Sequence, residues 1–313
     1  MKNMKILITD FVHELLIDGL KANNFEVTYS PEIKLEETKK IIKDYCVVVI
    51  NTKTVMDKDM IDKAKNLKLI VRLGSGLDII DLNYAKKKNI IVKNTPKGNR
   101  NAVAEHALGL LLSLFNNINQ SNFEVKNMIW NREDNRGIEL DGKTIGIIGF
   151  GNTGSRFAKK LSGFDVEILA FDKYKQRFAE NIRYVREVGM DSIFEECDIV
   201  SFHVPLTKET YHLFDLKFID KFKKRFYLIN TSRGKVVNTK DLILGLQKGK
   251  ISGAVLDVLE NEKINTYTDG ELSMYKHLFG LKNVIVTPHI AGWTKESKLK
   301  IAELVLDEIL INC

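Results

Sequence analysis

Residues 144–172 read TIGIIGFGNTGSRFAKKLSGFDVEILAFD. An apolar run leads into Gly149-Phe150-Gly151-Asn152-Thr153-Gly154, a helical segment covers 155–161, and a second apolar run at 166–171 ends on Asp172. This order of strand, glycine turn, helix, strand and acid predicts a dinucleotide-binding βαβ unit. Glycine turns also join strands to helices without any ligand, so the two flanking strands and the acid make the prediction specific.

Each glycine of this turn has its own predicted role. Gly149 makes the tight turn, Gly151 lets the backbone approach a pyrophosphate, and Gly154 lets helix and strand pack closely. The N-terminus of the helix that follows offers unpaired N–H groups and a partial positive charge to the phosphates.

Asp172 follows Gly154 by 18 residues, at the end of the second strand. A carboxylate there accepts hydrogen bonds from the adenosine ribose and repels a 2′-phosphate, which favours NAD over NADP. The alternative is a loop carboxylate or helix cap without a ligand. Three basic residues follow at once and would soften the repulsion, so NADP stays open as the cofactor: Lys173, Lys175 and Arg177.

Bulk composition excludes several classes of protein. At 313 residues and 44% hydrophobic the chain is long enough for two domains. No apolar run approaches the roughly 20 residues of a membrane span, and the start MKNMKILITD reads as a first strand rather than a secretion signal. The net charge of +7 is dispersed among acidic residues, which argues against a nucleic-acid partner. Three cysteines without metal-ligand spacing predict reduced thiols in a cytoplasmic protein and no metal site: Cys46, Cys197 and Cys313.

Short apolar runs alternate with helical patterns, which predicts an α/β fold with parallel sheets covered by helices on both faces. The predicted strands of the first half are Lys5–Thr9, Glu26–Tyr29, Val47–Ile50, Leu69–Leu73 and Ile90–Lys93, and later strands are 198–204, 227–230, 252–258 and 283–287. A turn-rich break is predicted at 94–99, followed by one long helix over 101–129 whose apolar first half suits a buried or inter-subunit contact. Glu105 and His106 lie in that helix and receive no catalytic role.

Polar groups follow several predicted strands, where ligands of such sheets bind. Arg72 precedes Gly74-Ser75-Gly76, a turn able to hold a small anion in a backbone nest, with an ordinary turn as the equal alternative. The later strand ends carry His203-Val204-Pro205, Thr231-Ser232-Arg233, Asp257 and Pro288-His289.

Hydride transfer to or from a hydroxy acid needs a characteristic set of groups. Arg233 is suited to grip a carboxylate with two hydrogen bonds, and His289 to exchange a proton near neutral pH. Glu262 could orient the imidazole and favour its charged form. Sequence alone does not show that these three residues meet.

The chain resembles the D-isomer-specific 2-hydroxyacid dehydrogenase family along nearly its whole length. The matching motifs, in order, are GSGLD (74–78), GKTIGIIGFGNTG (142–154), Asp172, HVPLT (203–207), NTSRGKVV (230–237), GAVLDVLENE (253–262) and TPHIAG (287–292). The resemblance implies two Rossmann-like, doubly wound domains. Residues 1–98 and 289–313 would form a discontinuous, flavodoxin-like substrate domain and residues 99–288 the NAD-binding domain.

The resemblance also implies roles for individual residues. His289 would be the acid/base, Glu262 its partner, and Arg233 the group that binds the substrate's carboxylate and carbonyl oxygen. Asp257 would hold the nicotinamide carboxamide. The remaining implied cofactor contacts are Gly149, Gly151, Asn152, Thr153, Gly154, Asp172, His203, Val204, Pro205, Thr231, Ser232, Arg233, His289 and Gly292. The implied contacts of a small anionic 2-hydroxy or 2-keto acid are Arg72, Ser75, Gly76, Arg233 and His289. A homodimer through the NAD domain is expected.

Within the family, RLGSGLD (72–78) and NTPKGN (94–99) resemble most the D-3-phosphoglycerate dehydrogenase branch, which oxidises 3-phospho-D-glycerate in serine biosynthesis. Two residues depart from that pattern and put the substrate in question: Lys263 stands where proline is usual, and Trp293 replaces a small residue. The sequence contains no regulatory domain after the motifs, so no feedback by serine is expected. The alternatives are a glyoxylate/hydroxypyruvate or D-lactate-type reductase and, from another class, an NAD-sensing corepressor.

Overall fold

The computed structural model describes residues 4–313. The chain divides into two compact units, Met1–Arg100 with Trp293–Cys313 and Asn101–Gly292. The boundaries predicted after residue 98 and before residue 289 lie two residues before Arg100 and four before Trp293.

The first unit contains a five-stranded parallel sheet. Its strands are β1 (Lys5–Ile8), β2 (Glu26–Tyr29), β3 (Val47–Ile50), β4 (Leu69–Arg72) and β5 (Ile91–Asn94), and its helices are α1 (Glu14–Ala22), α2 (Leu35–Ile41), α3 (Lys58–Lys63), α4 (Leu82–Lys87) and α12 (Lys295–Asn312), with a 3₁₀ turn at Ile42–Asp44. The strands lie in the order β2-β1-β3-β4-β5. This is the flavodoxin-like order of a doubly wound sheet.

Both faces of this sheet are covered, which explains why its strands read as apolar runs. All four residues of β3 are buried. Val47 and Val49 pack in one cluster with Ala302, Val305 and Ile309 of α12. Val48 and Ile50 pack in a second cluster with residues of α3 and β4. The last helix of the chain therefore completes the core of the unit that the N-terminal residues build.

The second unit contains a seven-stranded parallel sheet. Its strands are β6 (Thr144–Ile148), β7 (Glu167–Phe171), β8 (Arg186–Glu187), β9 (Ile199–Phe202), β10 (Phe226–Asn230), β11 (Ile251–Leu256) and β12 (Val284–Val286). Its helices are α6 (Ile118–Lys126), α7 (Asn152–Leu161), α8 (Met190–Glu196), α9 (Leu216–Lys221), α10 (Thr239–Gln247) and α11 (Asp269–Phe279), with 3₁₀ turns at Gly234–Val236 and Ile264–Thr266. Helix α5 (Pro96–Phe115) contains the division between the units.

The strand order of this sheet is β12-β11-β10-β9-β6-β7-β8. Strands β7 and β8 lie on one side of β6, and β9 to β12 lie on the other side. The order of strand placement therefore reverses between β6 and β9, and the carboxyl end of β6 lies at the topological switch point where dinucleotides bind in such sheets. The two parallel sheets confirm the predicted doubly wound α/β class.

Two predictions about the region between the units were wrong. The turn-rich segment expected at 94–99 is not a loop, because Asn94 ends β5 and Pro96 begins α5, where its missing N–H costs nothing. The division between the units lies further on, after Arg100. The single helix expected over 101–129 ends at Phe115, and α6 is separate. Asn117 between them has a φ of 50°, the left-handed conformation that asparagine tolerates and that interrupts a helix.

Within residues 4–313, none of the helices combines the length and apolar character that a membrane crossing requires. The described residues also contain no group of three His, Cys, Asp or Glu side chains placed to hold a metal ion.

Candidate active site

The glycine turn after β6 has the geometry that each glycine's predicted role requires. Gly149 has a φ of 96°, and a Cβ there would lie 2.6 Å from the carbonyl oxygen of His203. A Cβ on Gly154 would lie 2.1 Å from the Gly149 carbonyl oxygen, so the helix can approach the turn only without a side chain. A Cβ on Gly151 would meet nothing within 4 Å. The space beside Gly151, at the N-terminus of α7, therefore fits a pyrophosphate.

Gly151 and Gly154 give a matched pair of variants. Gly154→Ala should lower the melting temperature by at least about 5 °C, because its methyl group overlaps main-chain atoms that no rotamer change can move. Gly151→Ala should leave the melting temperature unchanged but weaken NADH binding at least about tenfold, because its methyl fills the phosphate space. Thermal unfolding and NADH fluorescence titration measure the two effects. Full NADH affinity in the stable Gly151→Ala protein would contradict the assignment.

Asp172 follows β7 and has a fixed carboxylate. Its Oδ2 accepts the Phe150 N–H at 2.9 Å, and its Oδ1 accepts the N–H groups of Tyr174 at 3.0 Å and Lys175 at 3.2 Å. These bonds fasten the carboxylate to the glycine turn, the position from which it can receive ribose hydroxyls.

The carboxyl end of β10 forms a tight turn that carries Arg233. Asn230 is fully buried. Its Oδ1 accepts the N–H and the hydroxyl of Ser232 at 3.1 and 2.8 Å, and its Nδ2 donates to the Arg233 carbonyl at 3.0 Å. The Oγ1 of Thr231 is buried and has no hydrogen-bond partner within the described residues. A buried hydroxyl in this state is costly, so Thr231 fits a polar group of a cofactor.

The side chain of His203, at the end of β9, points into the unit. Its Nε2 lies 2.8 Å from the Ser201 hydroxyl and its ring centroid 5.4 Å from that of Phe157. Its Nδ1 is buried without a partner among residues 4–313. Burial lowers the pKa of His203 from 6.5 to about 3. The imidazole is thus held by Ser201 and Phe157, and its Nδ1, like the Thr231 hydroxyl, lacks a partner that a polar group of a cofactor could supply.

This buried histidine should make the fold sensitive to acid. The unfolded chain binds a proton at this side chain below pH 6.5, whereas the folded protein does so only near pH 3. The free energy of unfolding should therefore fall, through His203, by up to about 1.4 kcal/mol for each pH unit below 6.5. Urea unfolding at pH 7 and 5.5 should show a smaller decrease in His203→Gln. An equal decrease in the wild type and in His203→Gln would refute the prediction. The control is His277→Asn, on α11, which should show the wild-type decrease.

The predicted catalytic pair meets in the structure. The Nδ1 of His289 lies 3.0 Å from each carboxylate oxygen of Glu262, although 27 residues separate the two in sequence. A carboxylate only accepts, so Nδ1–H donates and Nε2 is left for proton exchange with a ligand. His289 has a φ of 55°, an uncommon left-handed conformation for a histidine.

Asp257 holds the segment that carries His289. Its Oδ1 accepts the Thr287 hydroxyl at 2.6 Å and the Ile290 N–H at 2.9 Å, and its Oδ2 accepts the Ala291 N–H at 2.8 Å. Burial raises the pKa of this carboxyl, but the hydrogen bonds, first that with His106, outweigh burial and the net pKa lies below the usual value. Besides the predicted contact with nicotinamide, Asp257 therefore has a positioning role.

His106 belongs to the same network, although sequence reasoning gave it no function. Its Nε2 lies 3.0 Å from the Thr287 hydroxyl and 3.5 Å from Asp257 Oδ1. Thr287 was also missed as an individual residue. A histidine within a largely apolar helix carries no local signal for such a role, because its partners are 151 and 181 positions away.

The loop that carries Glu262 is fastened by its neighbour Asn261. The main-chain N–H of Asn261 donates to the Tyr275 hydroxyl at 3.1 Å, and its carbonyl accepts the Tyr267 hydroxyl at 3.0 Å. Its Nδ2 donates to Glu271 at 3.1 Å. Its Oδ1 accepts the N–H of Lys263 at 3.0 Å, a donor that proline would lack. Lys263, which stands where the resemblance predicts proline, thus takes part in a hydrogen-bonded turn through its N–H group.

The Arg233 turn packs directly on the main chain that leads to Glu262. A Cβ on Gly234 would lie 1.8 Å from the carbonyl oxygen of Leu259, so only glycine permits this approach. Glu260, on the same main chain, lies 2.6 Å from His212 Nε2 in the loop after β9 and accepts the N–H of Thr239, the first residue of α10, at 2.7 Å. Arg233, Glu262 and His289 therefore come from strand ends that the second unit holds together.

The other predicted cofactor residues lie on these same segments. Val204 Cγ1 would be 2.9 Å from a Cβ on Gly149, and the Pro205 carbonyl accepts the Thr210 hydroxyl at 2.6 Å. Asn152 and Thr153 are the first two residues of α7. Gly292 is the last residue of the second unit.

In the first unit, the predicted substrate residues form a turn at the end of β4. The Gly74 N–H donates to the Thr95 hydroxyl at 2.8 Å, the Ser75 carbonyl accepts Asn94 Nδ2 at 2.6 Å, and the Ser75 hydroxyl donates to Asn99 at 3.3 Å. These contacts do not use the N–H groups of Ser75 and Gly76, which fits the predicted nest. Arg72 Nη1 donates to the Leu73 carbonyl at 2.7 Å.

Comparison with known proteins agrees with this geometry. Residues 108–291 match the family described as D-isomer specific 2-hydroxyacid dehydrogenase, NAD binding domain. A D-3-phosphoglycerate dehydrogenase of Archaeoglobus fulgidus is 36% identical over 309 residues, which are 98% of this chain and 57% of that protein. A hydroxypyruvate reductase of Thermotoga maritima is 36% identical over 290 residues, 93% of this chain and 92% of that protein. The chain thus spans little more than half the length of the first relative.

Among solved structures, a D-lactate dehydrogenase from Aquifex aeolicus complexed with NAD and lactic acid is similar over 97% of this chain and 94% of that one. Its TM-score is 0.85 and its sequence identity 30%. The similarity therefore covers nearly the whole of both chains.

Proposed function

Because the chain belongs to the family of D-isomer specific 2-hydroxyacid dehydrogenases and carries its NAD-binding domain, we propose that it is an NAD-dependent dehydrogenase of small D-2-hydroxy acids. The observation that carries the proposal is the His289–Glu262 pair, with Nδ1 3.0 Å from both carboxylate oxygens, on the segment that Asp257 fastens. The match of residues 108–291 to the family confirms its recognition from motifs.

The chemistry divides among the chain's own residues. His289 Nε2 takes the hydroxyl proton of the substrate while Glu262 holds the imidazole through Nδ1. Arg233 binds the carboxylate and the oxygen that becomes the carbonyl. Bound NAD supplies the hydride acceptor, so the 2-hydroxy acid loses a hydride and a proton and becomes the 2-keto acid. The reverse reaction returns the proton from His289.

For the substrate, we propose oxidation of 3-phospho-D-glycerate to 3-phosphooxypyruvate. Support comes from the A. fulgidus relative and from Arg72, a cation beside the Gly74-Ser75-Gly76 turn that suits a phosphorylated acid. The second candidate is a reductase of hydroxypyruvate, glyoxylate or pyruvate. It is favoured by the T. maritima relative, which this chain spans over 92% of its length.

A substrate panel separates these candidates. Purified protein is assayed by NADH absorbance with 3-phosphoglycerate, glycerate and lactate, and in reverse with hydroxypyruvate, glyoxylate and pyruvate, each with both cofactors. A 3-phosphoglycerate dehydrogenase should have its highest kcat/KM with 3-phosphoglycerate. Arg72→Ala should lower kcat/KM for 3-phosphoglycerate and leave kcat/KM for glycerate unchanged. Lys21→Ala, in the last turn of α1 of the same unit, is the control. Turnover of unphosphorylated acids alone selects the reductase, and NADH binding without any turnover selects a corepressor-like sensor.

We further propose a homodimer formed by the NAD-binding unit. The apolar half of α5 is buried inside this unit, with Ala104, Ala107 and Leu111 fully covered. The exposed apolar side chains lie further on, where Phe123 of α6 is 63% and Trp130 80% exposed. A second copy is the natural cover for such a patch. Sedimentation velocity at micromolar concentration should give a dimer that Trp130→Ser weakens; a monomer would refute it.

A further inference from the structure

Three basic residues follow Asp172, and each could attract the 2′-phosphate of NADP. In the structure each has an internal partner. Lys175 Nζ donates to the Phe150 carbonyl at 2.7 Å, and Arg177 Nε lies 3.5 Å from Glu180. Lys173 Nζ lies 2.7 Å from Glu209 Oε2.

Glu209 differs from the other partners because it is a charged side chain from a distant segment, whereas Phe150 contributes a main-chain carbonyl and Glu180 is three residues from Arg177. It lies in the loop after β9, 36 positions from Lys173, and the same Oε2 accepts the Tyr174 hydroxyl at 2.6 Å. One carboxylate thus holds both residues that follow Asp172. The hydrogen bond with Glu209 raises the pKa of Lys173, and the bond with Lys173 lowers that of Glu209, so both groups are charged at neutral pH.

We propose that Glu209 is a second determinant of cofactor choice, which acts with Asp172 to exclude NADP. Asp172 repels a 2′-phosphate directly. Glu209 neutralises Lys173, the cation directly after Asp172, whereas Lys175 is bound to a main-chain carbonyl and Arg177 to a residue of its own segment. Without Glu209, Lys173 is free to approach a phosphate on the ribose.

The size of the effect follows from simple electrostatics. For a charge separation on the order of 7 Å in water, removing one negative charge from the surroundings of a phosphate that carries about two charges changes affinity by about 5- to 10-fold. Lys173 and Glu209 are both more than half exposed, so added salt should reduce the effect.

The test uses cofactor binding alone and therefore does not depend on the proposed reaction. Dissociation constants for NADH and NADPH are measured by fluorescence titration in the wild type and in Glu209→Gln. We expect NADPH to bind about 5- to 10-fold more tightly in the variant and NADH to change less than about twofold. At 0.5 M NaCl the gain for NADPH should shrink.

Two further variants make the result specific. Glu133→Gln removes the same charge from another exposed ion pair, with Arg136 at 2.7 Å, and should not alter the NADPH to NADH ratio. The double variant Glu209→Gln/Lys173→Ala should lose the gain, because the freed cation is gone. An unchanged ratio in Glu209→Gln, or an equal change in Glu133→Gln, would overturn the proposal.

Discussion

Replacing His289 by asparagine should lower kcat about 10²- to 10⁴-fold while NADH binds as in the wild type. The loss is the usual contribution of a positioned acid/base. Asparagine is chosen because it tolerates the left-handed conformation of residue 289, φ 55°, and so removes the proton-exchanging group without straining the segment. Steady-state rates with the best substrate of the panel and fluorescence titration with NADH give the two quantities.

A histidine on α11 provides the matched control. The Nε2 of His277 lies 3.0 Å from Gln247 Nε2 of α10, and this histidine makes no contact with Glu262 or His289 among those described. His277→Asn should retain wild-type kcat. If His289→Asn retained more than about a tenth of the wild-type kcat, the acid/base would have to be another group, and the proposed chemistry would fail with it.

Arg233→Lys should lower kcat/KM about 10²- to 10³-fold. The planar guanidinium can make two parallel hydrogen bonds to a carboxylate, and lysine replaces this fork with a point charge. Losing the geometry of two charge-assisted bonds costs about 3–4 kcal/mol in total. The reduction should exceed any effect on NADH affinity, because Asn230 holds the turn through the main-chain carbonyl of residue 233. Arg233 Nη1 also donates to the Ser232 carbonyl at 2.7 Å, and the lysine ammonium can replace that single bond.

The control for this variant is an arginine at the opposite end of β10. Arg225 precedes β10, and its Nε donates to the Gly249 carbonyl at 2.6 Å. Arg225→Lys should leave kcat/KM unchanged. A similar decrease in both variants would indicate general damage to the strand rather than loss of a substrate contact.

Most strands could be predicted because their chemistry is local. Parallel strands buried on both faces are continuous apolar runs, and Val47–Ile50 was predicted with the bounds that the structure has. Pro96 shows the limit of local reasoning. Proline is common both in turns and at the first position of a helix, and the residues after it decide between the two only through packing.

The site was predictable in its residue types but not in its contacts. Glu262 and His289 were recognised through motifs, whereas their 3.0 Å contact depends on β11 and β12 lying side by side. His106 could not be found at all, because its role exists only through contacts with Asp257 and Thr287. The orientation of the His203 ring could not be predicted for the same reason. Alternation along a strand predicts which face a side chain lies on, but not how the side chain of the residue after the strand is oriented.

The turn at Asn261 has a consequence for activity at high temperature. A proline at position 263 would restrict the chain by a covalent ring at every temperature. Here Lys263 occupies that position, and hydrogen bonds between Asn261 and Lys263, Tyr267 and Tyr275 restrict the chain instead. Such bonds can open locally before the whole unit melts. We expect an Arrhenius plot of kcat to bend downward below the melting temperature seen by circular dichroism, as heat releases Glu262 from His289. A straight plot up to the melting transition would contradict this.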